Sequence, residues 1–366
     1  MVGPEAIASW LTQSVMNLSA QVIVALARSD YPLRHLGLAR HYAIVPRPGD
    51  ASSAQRKAVS DSEGEQPDMT MNLRALTVFM ISLLIVSWLF QIVAVHVTGG
   101  PGSEAMIPWQ IATMFIPTLW TIVYIVAFNR EAWKQIRFRP RKPLILIFSG
   151  LLPAAIAFGV VTLMVGSGSA ETSYFDLSLG GADVVDGPWL LGMGAQNWAY
   201  LAANVGLTAL YFACLNSLFA FGEEFGWRGL LQDQLIGHLG FFRGVALLGF
   251  VWAIWHLPIN LAGYNFPHAP LLGALILFPI ELIAMSFIMA CFTRAGRSFW
   301  PAVLLHGSVN GAAQGLVESL TTADDISPTA PKLVQIGLIV LVAILCVLLT
   351  PRHLRAPEVG DPAQRA

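Results

Sequence analysis

From residue 72 onward the chain alternates long apolar runs with short polar connections. Eight runs approach or reach the about 20 residues that a spanning helix needs: 75–97, 106–128, 143–165, 196–221, 243–262, 271–292, 299–317 and 333–350. The fifth is interrupted by His256 and Pro258, the seventh by His306 and Asn310. The pattern predicts an all-α polytopic transmembrane helical bundle of about eight spans. Residues 1–71 differ in kind. Ile7, Leu11, Val15, Leu18, Val22 and Leu26 make an i, i+3/i+4 stripe, expected of an amphipathic helix on the membrane, a weak extra span or a dispensable extension. The segment RPGDASSAQRKAVSDSEGEQPD that follows has the composition of a disordered linker. No cleavable signal peptide is expected, because no short apolar run follows an N-terminal basic cluster. The chain therefore divides into an extension (1–71), N-terminal membrane helices (72–195), a polar-studded core (196–317) and a last helix with its tail (318–366).

Composition agrees with a membrane protein. The chain is 55% hydrophobic and only 12% charged, where a soluble domain carries roughly 25% charged residues. The basic residues are dispersed between apolar segments and the net charge is -1, so nucleic acid is not an expected partner and membrane lipid is. Cys214, Cys291 and Cys346 lie in apolar runs without CxxC spacing, which argues for small core hydrophobes. The connection NREAWKQIRFRPRKP carries six Lys or Arg, and Arg243, Arg294, Arg297, Arg352 and Arg355 fall at connections on the same side. The opposite connections carry none, apart from Lys332 at their edge. Both termini are thus expected in the cytoplasm, with the protein in the plasma membrane.

Three segments place costly polar groups in apolar surroundings. In FAFGEEFGWRGLLQDQL, Glu224 and Arg228 stand at i, i+4 and share a helix face, while Glu223 points elsewhere. The pair alone could simply pin a helix end; Glu223, with no local cation, has no such excuse. In GFVWAIWHLPIN, His256 needs a partner or a wet cavity, and Pro258 frees a carbonyl nearby. In PAVLLHGSVNGAAQG, His306 and Asn310 stand at i, i+4 among small residues that permit close helix approach. Each has a bland structural explanation by itself. Together, on three separate helices, they point to one shared polar cavity. Ser217 and Ser308 read as packing hydroxyls, and Glu281 in LFPIELIAM has no assigned role.

The set EEFGWR, WAIWH and HGSVN, in that order on successive helices, resembles the CPBP intramembrane protease family, which includes type II CAAX prenyl endopeptidases and Abi proteins of bacteriocin processing and immunity. Trp252 stands where that family usually has Phe; both are aromatic, so the expected consequence is confined to pocket shape. The resemblance implies an intramembrane endopeptidase acting on a membrane-associated, CAAX-like peptide or protein. It further implies that Glu223 and His256 ready a water molecule, that His306 and Asn310 donate to the oxyanion, and that Glu224 and Arg228 complete the catalytic set. Some family members are called metalloproteases, and Glu223, His256 and His306 could supply three zinc ligands; with no HExxH present, metal-free glutamate catalysis is the favoured expectation. The rival readings are a proton-coupled transporter, in which Glu281 would join a relay, and a non-catalytic immunity-type membrane protein.

Overall fold

The computed structural model of the protein describes residues 71–356. The predicted amphipathic stripe and linker before residue 71 lie outside the described residues. The long helices in chain order are α1 (Leu73–Thr98), α2 (Ile107–Phe128) and α3 (Pro143–Gly166), then α4 (Trp198–Glu224). A π-helical segment, Phe225–Leu231, joins α4 to α5 (Gln232–Trp255). Two short helices, α6 (Leu257–Leu261) and α7 (Pro270–Leu272), lead through a π segment, Gly273–Leu277, into α8 (Phe278–Gly296). After it come α9 (Trp300–Ser308), a π segment Val309–Ala313, α10 (Gln314–Glu318), α11 (Ala330–Leu349) and α12 (Arg352–Arg355).

Among the described residues six helical runs are long and apolar enough to cross a membrane, where hydropathy predicts eight. The predicted fourth and fifth spans fall in one run, Trp198–Trp255, which reverses at Gly240. That residue has φ 74°, and four residues on, a Cβ at Gly244 would lie 2.7 Å from the Leu235 carbonyl carbon. A left-handed turn so tight suits glycine. The predicted seventh span is broken into α9, of 9 residues, a π segment and α10, of 5. The chain is an integral membrane protein whose polar core segments are its least regular helices.

The helices are sorted by what they can pack or hydrogen-bond, since hydrophobicity cannot tell lipid from core. On α1 the buried stripe is Leu76, Phe79, Leu83, Ser87, Gln91 and Ala94. The opposite stripe, Val78, Ile81, Ile85, Leu89 and Ile92, is exposed and faces the lipid. On α11 likewise Gln335 is buried with Ile336, Ile339 and Ala343, while Leu341, Ile344, Leu345 and Leu348 are exposed. Within the bundle α4 packs against α9 and α2, α5 against α8, and α8 against α11. The α9 approach is close: a Cβ at Gly307 would sit 2.5 Å from the Ala213 carbonyl oxygen on α4.

Hydropathy treats residues 167–195 as a plain connection, yet they carry short strands. Strand β1 (Ala170–Thr172) pairs antiparallel with β5 (Leu320–Thr322), which follows α10. Strands β2 (Phe175–Ser178), β3 (Gly181–Val184) and β4 (Gly194–Asn197) form an antiparallel sheet, with Phe175 opposite Val184 and Gly181 opposite Asn197. Three- and four-residue strands are too short to show an alternating pattern. At the other end, Asp233 accepts hydrogen bonds from Arg137 (2.9 Å) and Arg294 (3.1 Å), and Arg294 Nε donates to the Leu354 carbonyl (2.5 Å). That cluster ties α5, α8, α12 and the α2–α3 connection together.

Candidate active site

The site begins where α4 changes pitch. Glu223 and Glu224 are the last residues of α4, 2% and 0% exposed, and the next seven residues are π-helical. Such irregular turns recur at functional sites because they re-aim neighbouring side chains. Glu224 turns inward to Arg228, whose NH1 donates to Glu224 Oε1 at 2.9 Å with both side chains fully buried. Arg228 NH2 donates to Ser286 Oγ on α8 at 2.9 Å, and its guanidinium carbon lies 4.1 Å from the centroid of the Trp252 ring. Glu223 takes a separate partner: Trp252 Nε1 donates to its Oε2 at 2.8 Å. The i, i+4 expectation thus holds for the Glu224–Arg228 pair. The expectation for Trp252 does not, because the indole N–H makes a bond that phenylalanine cannot make.

The two histidines are held by opposite kinds of partner. At the end of α5 the His256 backbone N–H bonds Ala253 O at 3.1 Å, a tightened turn that leaves the carbonyl four residues back for its own ring. Nδ1 takes that Trp252 carbonyl at 2.9 Å. A carbonyl only accepts, so Nδ1 carries the hydrogen and Nε2 keeps a lone pair. Edge contacts fix the ring, with centroids 4.6 Å from Trp255 and 5.1 Å from Phe278. His306 instead sets Nδ1 2.8 Å from Glu224 Oε1, the oxygen already held by Arg228. Its ring meets Trp252 edge-on at 5.3 Å. The carbonyl freed by Pro258, that of Ile254, does not serve His256: Trp88 Nε1 on α1 donates to it at 2.8 Å.

A cavity of about 120 Å³ opens among these groups. One water needs ~10–15 Å³ by this measure, so there is room for several. Glu223, His256, His306 and Asn310 all line it. Glu224 and Arg228 do not; they stand behind His306 and Trp252 and contact them. The six residues singled out in the sequence are therefore brought together, but as four facing the cavity and two supporting. Asn310 reaches the wall from the π segment after α9, so it and His306 share a cavity although the helix between them is not regular. Among the described residues no three His, Cys, Asp or Glu side chains are grouped to hold a metal ion. The suggested trio of Glu223, His256 and His306 does not form such a group.

Two contributors were not apparent in the sequence. Ser286 carries no motif, and its role as partner of Arg228 depends on how α8 packs on α5. Trp252 did carry a signal, since a buried indole N–H needs an acceptor and Glu223 was the acceptor lacking a partner. Residues 202–312 match the family model described as type II CAAX prenyl endopeptidase Rce1-like, a stretch that includes all three motif segments. No curated protein matches the chain. Glu281 lies inside the matched stretch, whereas Thr113 and Gln335, which also line the cavity, lie outside it. The order and spacing of the acidic, first-histidine and second-histidine segments, together with the match over residues 202–312, make this stretch of the chain similar to the Rce1-like type II CAAX prenyl endopeptidases.

Proposed function

We propose that the protein is an intramembrane endopeptidase that hydrolyses a peptide bond of a membrane-associated, CAAX-like substrate with a water held by Glu223 and His256. The family match supports proteolysis in general. The observation that carries the residue-level reading is the division of the cavity wall into acceptors and donors. His256 Nε2 and the second oxygen of Glu223 are left to accept, because their other polar atoms are occupied by the Trp252 carbonyl and indole. Both acceptors can take a proton of one water and orient its lone pair. Asn310 brings an amide donor, and His306 Nε2 donates when the ring carries both protons, balanced by Glu224 behind it.

In the reaction so derived, the water gives a proton to Glu223 while its oxygen bonds to the scissile carbonyl carbon. The negative charge that forms on the carbonyl oxygen is met by His306 and Asn310, donors fixed in advance and therefore effective in a cavity of low polarity. Collapse breaks the C–N bond, and the departing amine takes the proton held by Glu223. No step passes through a metal. Zinc content is a separate measurement: elemental analysis of purified active protein is expected to give substoichiometric zinc, with activity surviving a chelator. Stoichiometric zinc whose removal stops cleavage would replace this scheme.

Lys and Arg placement supports cytoplasmic termini. One observation favours the carrier reading, the buried carboxylate of Glu281 in the cavity wall. Cleavage of a membrane-spanning peptide by purified protein in liposomes separates the two readings. Wild type is expected to cleave and Glu223→Gln is not. No cleavage by wild type, with proton-coupled uptake into the liposomes, would support a carrier; neither activity would support an immunity-type binding protein.

A further inference from the structure

Beyond the four groups that face the reacting bond, the same cavity holds two polar side chains that each bury an oxygen without a hydrogen-bond partner. Glu281 on α8 is 7% exposed and Gln335 on α11 is 5% exposed, and both line the cavity. Glu281 Oε2 and Gln335 Oε1 are both without a hydrogen-bond partner. Lys332, also in the cavity wall, is a charged neighbour of Glu281, yet no ion pair within 4.0 Å joins the two. Two buried acceptors without donors are costly, and in native proteins such groups mark a missing water, ion or ligand. Their position indicates which ligand. Phe278 touches the His256 ring, and Glu281 follows three residues later on the same helix, about 4.5 Å along the axis. An extended peptide advances about 3.3 Å per residue, so a chain whose scissile bond lies beside His256 can bring a side chain one or two residues away toward Glu281, on a helix that packs against the one carrying Gln335.

We propose that Glu281 and Gln335 form a specificity subsite that accepts an N–H-donating side chain of the substrate, basic or amide, one or two residues from the cleaved bond. Other cavity-lining residues of the same two helices, Leu282, Met285 and Ile339, are apolar. An apolar side chain would fit there by shape but leave both acceptors unmet, and unmet polar groups are what give a site its strongest discrimination. The proposal rests on the peptidase reading for the word substrate, though not for the binding.

The test uses three membrane-spanning peptides that differ at the one or two positions beside the cleaved bond, bearing lysine, glutamine or norleucine. Binding is measured by fluorescence anisotropy to Glu223→Gln protein in lipid nanodiscs, and cleavage with wild type. Lysine and glutamine peptides are expected to bind at least tenfold more tightly than norleucine. Adding Glu281→Leu removes that preference while leaving norleucine binding within twofold. Adding Glu281→Gln, nearly the same in shape, keeps the preference for glutamine and reduces that for lysine, separating hydrogen bonding from charge; Gln335→Leu weakens both. Equal or absent binding of all three peptides, or a Glu281→Leu loss of the same factor for each, overturns the subsite. Selective binding without cleavage by wild type sustains the subsite and removes the peptidase reading; cleavage without selective binding does the reverse.

Discussion

Trp252 is the residue through which the site is held. Its indole N–H bonds Glu223, its ring faces the Arg228 guanidinium and the edge of His306, and its carbonyl holds His256. Trp252→Phe keeps the ring contacts and the carbonyl but removes the N–H. The expected result is a fall in kcat of about tenfold, the equivalent of a lost hydrogen bond of ~1.4 kcal/mol, with KM unchanged, because the substrate does not touch that N–H. A change confined to KM would contradict this role. Arg228 presents a different case, since it neutralises a carboxylate sealed from water. Arg228→Met leaves Glu224 buried with only His306 to answer it, and removing one partner of a buried pair costs about 3–5 kcal/mol. A chemical-denaturation measurement in detergent is expected to show that loss. Stability equal to wild type would mean that the pair contributes little.

At the scale of elements, the break at the end of α5 shows what a proline demands. Pro258 cannot donate to the Ile254 carbonyl, and Trp88 on α1, far away in the chain, does so instead, with Gln91 Nε2 donating to the next carbonyl, that of Trp255, at 2.9 Å. Trp88→Phe orphans the first carbonyl, and thermal unfolding is expected to record a loss of about 1–3 kcal/mol. An unchanged midpoint would show that water reaches the helix end. The sequence disclosed the break, because proline and histidine stand in an apolar run, but not its remedy, because nothing local links residue 88 to residue 254. The same limit explains the other differences. Glu224 and Arg228 were legible since helix pitch alone relates them; Ser286, Gln335 and the Trp252–Glu223 bond were not, since each depends on packing between helices. The hairpin at Gly240 and the π segment after α9 changed the count of spans because hydropathy measures apolar length and is blind to where a helix reverses or loosens.

Across the whole molecule, buried polar groups are concentrated where three broken or loosened helices meet, and the long regular helices α1, α3 and α11 surround them with lipid-facing leucine, isoleucine and valine. Regular helices satisfy their own backbone and can face hydrocarbon; irregular ones must be enclosed or wetted. The protein thus keeps its irregular segments beside the cavity of about 120 Å³, where water is admissible. Glu223 and His256, from different helices, are expected to act on a single water. The most direct measurement is a double-mutant cycle on single-turnover cleavage in liposomes, using Glu223→Gln, His256→Ala and the pair, with folding checked by thermal unfolding. Residues that act as a unit are not additive. Each single variant is predicted to lose most of the rate and the double variant to be no slower than the slower single. Losses that multiply, or a Glu223→Gln protein that cleaves at the wild-type rate, would contradict it.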